Sequence, residues 1–316
     1  MTKPRSTLVT GATGLIGSAL VRLLLAEDIA VHCLIRRSSL SKLPPLAGLE
    51  AIEVPSFETE ILRRSLNGIT YDTVFHLASY GVQINDRDRD QLVAGNVGLL
   101  SHVLAAISER RPDRFLFAGS CSEYGFPMKD GHLISEDQPL RPTSLYGAAK
   151  AAAEVYGQAL ALQLKIPFTA LRLFNVFGPG EAPHRLLPSI LQALDQDRSV
   201  DLTGGDQQRD LLHVDDVAAA LLAAARSEHL KPFAAYNICS GQPVRIREVG
   251  ETAASLMGKP QHLMQWGTLP YRSDEPMWVV GDPARFQQDT SWQPKMDLTE
   301  GVRTMIAAVR EHQNAI

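Results

Sequence analysis

Three polar side chains near the middle of the chain have the types needed to move a proton. Tyr146 and Lys150 stand four residues apart, and Ser120 precedes the tyrosine by 26 residues. On a helix, residues four apart share a face, so the phenol and the ammonium would lie together. An ammonium there stabilises the phenolate and would lower the tyrosine pKa from its ordinary value of about 10. We expect acid–base chemistry on a substrate oxygen held by Ser120.

A glycine-rich segment close to the N-terminus has the spacing of a dinucleotide-binding turn. It reads Thr-Gly-Ala-Thr-Gly-Leu-Ile-Gly over residues 10–17. Glycine allows a tight turn between a strand and a helix and lets a pyrophosphate approach the backbone, while the helix start directs free N–H groups at the anion. The expected cofactor contacts in this segment are Gly11, Thr13, Gly14, Leu15, Ile16 and Gly17.

The residues that follow the second predicted strand bear on the type of nicotinamide cofactor. NAD enzymes usually carry an acidic residue there, which binds the ribose hydroxyl and would repel the 2′-phosphate of NADP. This chain has Arg36, Arg37 and Ser38 instead. Guanidinium groups bind phosphate with forked, charge-assisted hydrogen bonds. The pattern therefore favours NADP(H) as the cofactor, with NAD(H) as the alternative. If these residues bind no cofactor, they form a solvated basic turn.

A second group of cofactor contacts is expected on the nicotinamide side. Residues 77–79 follow the fourth predicted strand, and Asn96 lies on the helix after it. Ligands bind at the carboxyl ends of strands in open α/β sheets. We therefore expect Leu77, Ala78, Ser79, Asn96, Tyr146 and Lys150 around the nicotinamide ribose.

The elements that must position these residues alternate between strand and helix. Apolar runs predict strands, and apolar residues at helical spacing predict helices between them. This alternation specifies an α/β fold with a doubly wound parallel sheet, a Rossmann architecture with helices on both faces. The predicted strands are 7–10, 30–35, 50–54, 73–77, 114–118 and 168–172, and the predicted helices are 15–27, 92–109 and 146–164.

The regular alternation ends at about residue 175. Three prolines (Pro179, Pro183 and Pro188) interrupt the chain there. This predicts a smaller C-terminal α/β substrate lobe. A helix is expected over 215–225, and a strand over 235–239 that returns to the main sheet. The predicted NAD(P)-binding domain is 1–174 with about 212–238, and the predicted substrate-binding lobe is 175–211 with 239–316.

Composition excludes several classes of function. The chain has 316 residues, 45% hydrophobic, with a net charge of −4 and a pI of about 6.1. A nucleic-acid surface would need clustered basic charge, so we expect no nucleic-acid partner. The apolar run 217–225 is too short for a membrane span. Three cysteines without a CxxC pair indicate reduced thiols in the cytoplasm. The histidine spacing predicts no metal site.

The chain resembles the extended short-chain dehydrogenases/reductases, in the nucleotide-sugar epimerase, dehydratase and 4-ketoreductase group. The resemblance covers nearly the whole sequence. The segments that carry it are residues 10–17, 76–79, 119–125, 146–150, 172–180 and 204–210.

The resemblance implies roles for individual residues. Ser120, Tyr146 and Lys150 would be the catalytic triad, and Lys150 would also hold the nicotinamide ribose. Asn175 would bind the diphosphate of a nucleotide sugar. The remaining expected substrate contacts are Ser122, Arg209 and Arg272. For Arg209 the alternative is an ion pair with Asp206 or Asp210. Relatives often form a homodimer through helices equivalent to 92–109 and 146–164.

The reaction depends on the residues around the triad. The 4,6-dehydratases of this group have acidic residues directly after the active-site Ser or Thr, but this chain has Cys121 and Ser122. Glu123 comes one position later and is expected to point elsewhere. The Arg36–Arg37 pair favours an NADPH-dependent 4-ketoreductase of a nucleotide-activated 4-keto-6-deoxyhexose. The segment 119–125 also resembles such reductases. The alternatives are a 4-epimerase with tightly bound NAD, then a 4,6-dehydratase or a non-catalytic NADP-binding protein.

Overall fold

We analysed a computed structural model of the chain. It describes residues 4–43, 46–82, 86, 88–125 and 131–314.

The strands and helices follow one another as the sequence pattern predicts in the first part of the chain, with additional short elements in the second. The strands are β1 (Ser6–Thr10), β2 (Ala30–Arg36), β3 (Leu49–Val54), β4 (Thr73–His76), β5 (Arg114–Ser120), β6 (Phe168–Leu173), β7 (Asn175–Phe177), β8 (Val200–Leu202), β9 (Gln208–His213), β10 (Ala235–Ile238), β11 (Pro243–Arg245), β12 (Met264–Trp266) and β13 (Trp278–Val279). The helices are α1 (Leu15–Ala26), α2 (Thr59–Ser65), α3 (Arg89–Val93), α4 (Leu99–Ile107), α5 (Leu145–Leu164), α6 (Leu186–Asp195), α7 (Val214–Arg226), α8 (Ile246–Met257), α9 (Ala284–Thr290) and α10 (Leu298–Asn314).

The main sheet has seven strands in the order β10-β6-β5-β4-β1-β2-β3. Every neighbouring pair in it is parallel. The expected return of the chain to this sheet is confirmed, since β10 pairs with β6. In this register Thr10 lies beside Leu34 and His76. The glycine turn, the end of β2 and the end of β4 therefore meet at one edge of the sheet.

Helices cover both faces of this sheet, so the predicted doubly wound fold is confirmed. On one face α1 and α7 pack together, with Leu24 and Leu221 fully buried between helices and strands. On the other face α2, α4 and α5 cover the strands, with Leu104 and Phe168 fully buried. Strands buried on both faces are mainly apolar, which explains the hydrophobic runs of the central strands.

The predicted helix over 92–109 differs from the observed one. It begins earlier, at Arg89, and ends at Ile107, with a π-helical turn at Ala94–Gly98 between α3 and α4. A π turn adds one residue to a helical turn, which a simple 3.6-residue pattern does not reveal. The pattern also did not single out α2, because its seven residues offer about two turns of periodicity.

The helix Arg89–Ile107 also has the length and hydropathy of a membrane span. These properties alone do not distinguish a membrane span from a helix in a protein core. Its second half, α4, buries Leu100, Val103 and Leu104 against the sheet. Within the described residues, the helix therefore packs as part of the core.

The second half of the chain builds two further sheets. In one of them, β9 pairs with three strands. Its pairing with β11 is antiparallel, and its pairings with β13 and β7 are parallel. The other pairs β12 with β8. Helices α6, α8 and α10 form a third core with them, around Ile190, Ala253 and Val302. Phe286 of α9 packs with Tyr236 into the core of the main sheet. The domain boundaries remain a prediction.

Helix α5 lies very close to its neighbours at Gly157. A Cβ atom there would come within 2.5 Å of Leu100 Cδ2 and 3.2 Å of the Phe168 ring. We predict that Gly157→Ala lowers the free energy of unfolding by about 1–3 kcal/mol, through overpacking. The control is Gly98→Ala, where the nearest atom would be the Val93 carbonyl oxygen at 3.9 Å. It should cause no loss, and urea unfolding measures both. Equal effects of the two substitutions would contradict this account of the helix contact.

Candidate active site

The glycine turn after β1 has the geometry of a backbone cradle. Gly11 has a φ of +74°, and a Cβ there would lie 2.6 Å from the Ala78 nitrogen. At Gly17 a Cβ would lie 2.1 Å from the Gly11 carbonyl oxygen. Both positions therefore require glycine. The N-cap of α1 is Gly14, which has no side chain to occupy the N–H groups of the first turn. These groups fit a pyrophosphate.

The remaining sequence-predicted cofactor residues at this edge surround the turn. Thr10 links β1 to β4, since its hydroxyl bonds His76 Nδ1 at 3.0 Å and accepts from the Ala78 N–H at 3.3 Å. Leu15 lies in the first turn of α1 near Gly180. Thr13, Ile16 and Leu77 are half-buried beside the same turn. These residues therefore lie together at the carboxyl edge of the sheet, and their contact with a cofactor stays a prediction.

The end of β2 presents its two arginines to solvent. Arg36, Arg37 and Ser38 are all exposed. The Arg37 side chain is 88% exposed, and its Nε lies 3.7 Å from Glu53 Oε1 on β3. A phosphate could therefore reach both guanidinium groups. Glu53 is an acidic side chain close to the same strand end, and an NAD site uses such a residue to bind the ribose hydroxyl.

Ser120 and Tyr146 meet at the end of β5. Ser120 is the last residue of that strand, and α5 begins opposite it with Ser144 as N-cap, accepting from the Gly147 N–H at 3.0 Å. The Tyr146 hydroxyl lies near the side chains of Ser120 and Ser79, and both hydroxyls lower its pKa. The predicted serine–tyrosine pair is therefore assembled, with Ser79 as an additional partner.

Asn96 fixes the orientation of the Ser79 hydroxyl through its own hydrogen bonds. Its amide nitrogen donates to the carbonyls of Tyr80, at 3.0 Å, and Leu92, at 2.8 Å. Its Oδ1 accepts from the Ser79 hydroxyl at 2.8 Å. The Ser79 hydroxyl is thus held by Asn96 at a position beside the Tyr146 hydroxyl, where it favours the ionised phenol.

The position of Asn96 corrects its expected role. It lies in the π turn and is only 2% exposed. All its polar atoms bond within the protein. Asn96 therefore does not present its amide to a cofactor; it positions Ser79, which contacts the tyrosine. The sequence could not show this, because the direction of the side chain depends on the π turn.

Burial changes the acid–base properties of the pair in an unexpected direction. We expected Lys150 to lower the tyrosine pKa, but burial raises the pKa of Tyr146 to about 12, against the lowering effect of its hydrogen bond with Ser79. The ammonium of Lys150 donates to the Ala118 carbonyl at 2.5 Å and lies 4.3 Å from the centre of the Phe117 ring. Burial lowers the pKa of Lys150 to about 8. In this structure Tyr146 is therefore a protonated phenol at neutral pH.

A buried charge network lies directly behind the triad, and the sequence interpretation did not find it. Arg172 of β6 donates to Glu154 of α5 through Nε at 3.0 Å and Nη2 at 2.5 Å. It also donates to the Tyr124 hydroxyl at 2.9 Å. Glu123 approaches from the end of β5, with Oε2 3.9 Å from Arg172 Nε. A charged residue inside the apolar run of β6 was the available signal, because a buried arginine requires partners.

The expected substrate residues lie on the side of the smaller sheets. Asn175 begins β7, and its amide donates to the Asp210 carbonyl at 3.1 Å. Arg209 of β9 forms an ion pair with Glu275 at 2.7 Å, instead of with Asp206 or Asp210. The Asp210 carboxylate is occupied by N–H groups of Ser240, Gly241 and Gly281. Half-buried Ser122 follows the triad serine by two residues, and Arg272 is exposed.

The model of the NAD dependent epimerase/dehydratase family matches residues 7–239. This chain belongs to that family. The matched region begins at the strand before the glycine turn and ends just after β10. The family expected from the sequence is confirmed.

Three members of the family show how broad it is. Human dTDP-D-glucose 4,6-dehydratase is 25% identical, covering 96% of this chain and 90% of the human protein. The dTDP-6-deoxy-L-talose 4-dehydrogenase (NAD(P)(+)) of Kitasatospora kifunensis is 27% identical, with coverages of 97% and 96%. The structure of MoeE5 in complex with UDP-glucuronic acid and NAD has a TM-score of 0.82 at 30% identity, covering 97% of this chain and 99% of MoeE5. The protein is thus an oxidoreductase-type enzyme of the extended short-chain group.

The hydrogen bonds of Asn96 lead to a testable prediction. Asn96→Asp replaces the amide that donates to two buried carbonyls by a carboxylate that repels them. We expect the free energy of unfolding to fall by about 2–4 kcal/mol, and turnover to fall because a side chain repelled by these carbonyls no longer holds its oxygen in place for Ser79. The matched control is Asn67→Asp at an exposed site, where the side-chain oxygen accepts from Arg110 at 3.3 Å. Thermal unfolding should separate the two variants, and a silent Asn96→Asp would disprove the assigned network.

Proposed function

We propose that the protein is an NADPH-dependent 4-ketoreductase of a nucleotide-activated 4-keto-6-deoxyhexose. The observation that carries this proposal is the meeting of Tyr146, at the start of α5, with Ser120, at the end of β5, on the sheet edge that holds the glycine turn. Reduction of a ketone requires a proton donor at the sugar oxygen. The Kitasatospora relative supports the proposal, because its name describes chemistry at C4 of a 6-deoxysugar nucleotide.

The roles of the residues follow from their positions. Gly11, Gly14 and Gly17 would hold the cofactor pyrophosphate, and its reduced nicotinamide supplies the hydride to sugar C4 when bound. Tyr146 donates its proton to O4 as the ketone becomes an alcohol. The Ser120 hydroxyl turns from the phenol to the same oxygen and orients it. Lys150, buried behind the tyrosine, would bind the ribose hydroxyls and favour the phenolate that remains after proton transfer.

Dehydration is disfavoured by the residues after Ser120. A 4,6-dehydratase needs an acid that protonates the leaving hydroxyl. Burial raises the pKa of the Cys121 thiol to about 12, and Ser122 is a weaker acid still. The Glu123 carboxyl points back at the Ser120 N–H, 2.6 Å away. None of these three side chains suits the protonation of a leaving group.

A nucleotide-sugar 4-epimerase with tightly bound NAD is the second candidate. The triad would be the same. MoeE5 binds NAD together with UDP-glucuronic acid, and Glu53 lies beside Arg37 in this chain. An epimerase would first remove a proton through Tyr146, for which the raised pKa is less suitable. Its reaction would also leave no net change in the cofactor.

We also propose a homodimer and a cytoplasmic location. Helix α5 exposes Val155, Tyr156 and Leu162, with Leu162 64% exposed, and α3 exposes Val93. Apolar side chains grouped on neighbouring helices suit contact with a second copy of the chain. No nucleic-acid or membrane partner is proposed.

Turnover with purified substrates tests the reductase proposal. With NADPH and a panel of nucleotide-linked 4-keto-6-deoxysugars, we predict stoichiometric loss of reduced-nicotinamide absorbance with one of them. Tyr146→Phe should lower kcat by about 10²–10⁴-fold, because the proton donor is gone. NADPH binding should persist in this variant. The control is Tyr156→Phe, on the same helix but 47% exposed.

Each other outcome identifies an alternative. NAD released from the denatured protein, with C4 inversion of an ordinary nucleotide sugar and no net NADPH loss, would make it an epimerase. Loss of water from a 4,6-dihydroxy sugar nucleotide would make it a dehydratase. A Tyr146→Phe variant with full biological function would indicate a non-catalytic NADP-binding protein.

The arginines after β2 provide a separate test of the cofactor. Replacing Arg36 and Arg37 by serine should weaken NADPH binding about 10- to 100-fold more than NADH binding, because only NADPH has the 2′-phosphate. Binding is measured by fluorescence titration. Arg303→Ser, an exposed arginine of α10, is the control. Equal losses for both cofactors, or a wild-type preference for NADH, would overturn the choice of NADP.

A further inference from the structure

Glu123 is connected directly to the backbone of the triad serine. It ends a short 3-10 turn, Cys121–Glu123, in which its Oε1 accepts from the Ser120 N–H at 2.6 Å. The Ser120 hydroxyl reciprocates by accepting from the Ser122 N–H at 3.2 Å. This is a capping box, in which the Ser120 and Glu123 side chains each accept from a backbone N–H of the same turn. The direction of Ser120 Oγ therefore depends on Glu123.

The second oxygen of Glu123 lies in a fully buried position. The residue is 0% exposed. Among the described residues, no group donates a hydrogen bond to Oε2. The nearby guanidinium of Arg172 is engaged by Glu154 through two hydrogen bonds. An ionised carboxylate without a donor on one oxygen is strongly disfavoured in such a place.

A neighbouring carboxyl group supplies an acceptor for a proton on that oxygen. The Glu154 carboxyl is its neighbour, since both groups approach the same guanidinium: Glu154 forms two hydrogen bonds with Arg172, and Glu123 Oε2 lies 3.9 Å from Arg172 Nε. Burial and the Glu154 charge raise the pKa of Glu123 well above its ordinary value, while Lys150 opposes them. Two adjacent buried carboxyl groups share a proton because both cannot be ionised at low cost.

The position of Lys150 agrees with a neutral Glu123. The groups near Glu123 include Glu154, Lys150 and Tyr146 from α5, Arg172 from β6, the Ser120 N–H from β5 and the Cys121 thiol of its own turn. A buried ammonium beside a free carboxylate would pair with it. Lys150 instead donates to the Ala118 carbonyl, and neither carboxyl group forms an ion pair with it in the part of the chain that the structure describes.

We propose that Glu123 is a neutral positioning residue, which accepts from the Ser120 N–H and donates its proton to Glu154. It thereby holds the serine hydroxyl in place without adding a negative charge beside Lys150. The inference rests on the proposed role of Ser120 in binding the reacting oxygen. The proton on Glu123 can be tested separately from that role.

Three variants separate the neutral form from the charged one. Glutamine reproduces a protonated glutamic acid, with an oxygen toward Ser120 and an N–H toward Glu154. Glu123→Gln should therefore keep kcat within about three-fold of the wild type, with an unchanged pH profile. Glu123→Ala should lower kcat at least about ten-fold with little change in KM, since Ser120 loses its support. Glu154→Gln, the matched control, removes a true charge opposite Arg172 and should lower the melting temperature more than Glu123→Gln.

Infrared spectroscopy measures the proton without any substrate. The difference spectrum of wild type minus Glu123→Gln at neutral pH should show the carbonyl stretch of a protonated carboxyl group. Absence of that band overturns the inference, as does a Glu123→Gln variant that is as impaired as Glu123→Ala. A fully active Glu123→Ala variant would exclude the positioning role. If the wild type reduced no keto sugar, the proposed function would fail, whereas the infrared result would still decide the charge of Glu123.

Discussion

The buried guanidinium of Arg172 is the group on which the arrangement of the site depends. It lies next to the last residue of β6, a strand whose six residues are all buried. Glu154 neutralises it and thereby ties α5 to the sheet. Tyr124 links it to Asn237 of β10 through a hydrogen bond of 2.6 Å. The charge of Arg172 thus connects the turn after β5, helix α5 and the edge strand β10.

Close backbone approach shapes the cofactor side of the same sheet edge. Gly11 and Gly17 bring the turn after β1 into contact with itself and with the end of β4. The residues 77–79 that follow β4 reach the tyrosine through Ser79, whose hydroxyl is oriented by Asn96. The glycine turn and the triad are therefore two ends of one packed unit. A shift at either end would be transmitted through this segment.

Much of this could be predicted from single segments of sequence. The seven parallel strands, the glycine turn and the shared face of Tyr146 and Lys150 depend on local periodicity and spacing. The π turn around Asn96, the ion pair of Arg209 with Glu275 and the carboxyl pair of Glu123 and Glu154 could not be predicted. Each joins residues that are distant in sequence or depends on a departure from regular helix geometry.

The sequence by itself determined the family, the α/β architecture and the identity of the candidate catalytic residues. These follow from residue types at short, fixed spacings. Only the tertiary structure decided the burial that raises the pKa of Tyr146, the orientation of Ser79 beside it and the partners of the charged residues behind it. A pKa depends on burial and on every charge within a few ångströms. Those neighbours come from four separate elements, and folding alone brings them together.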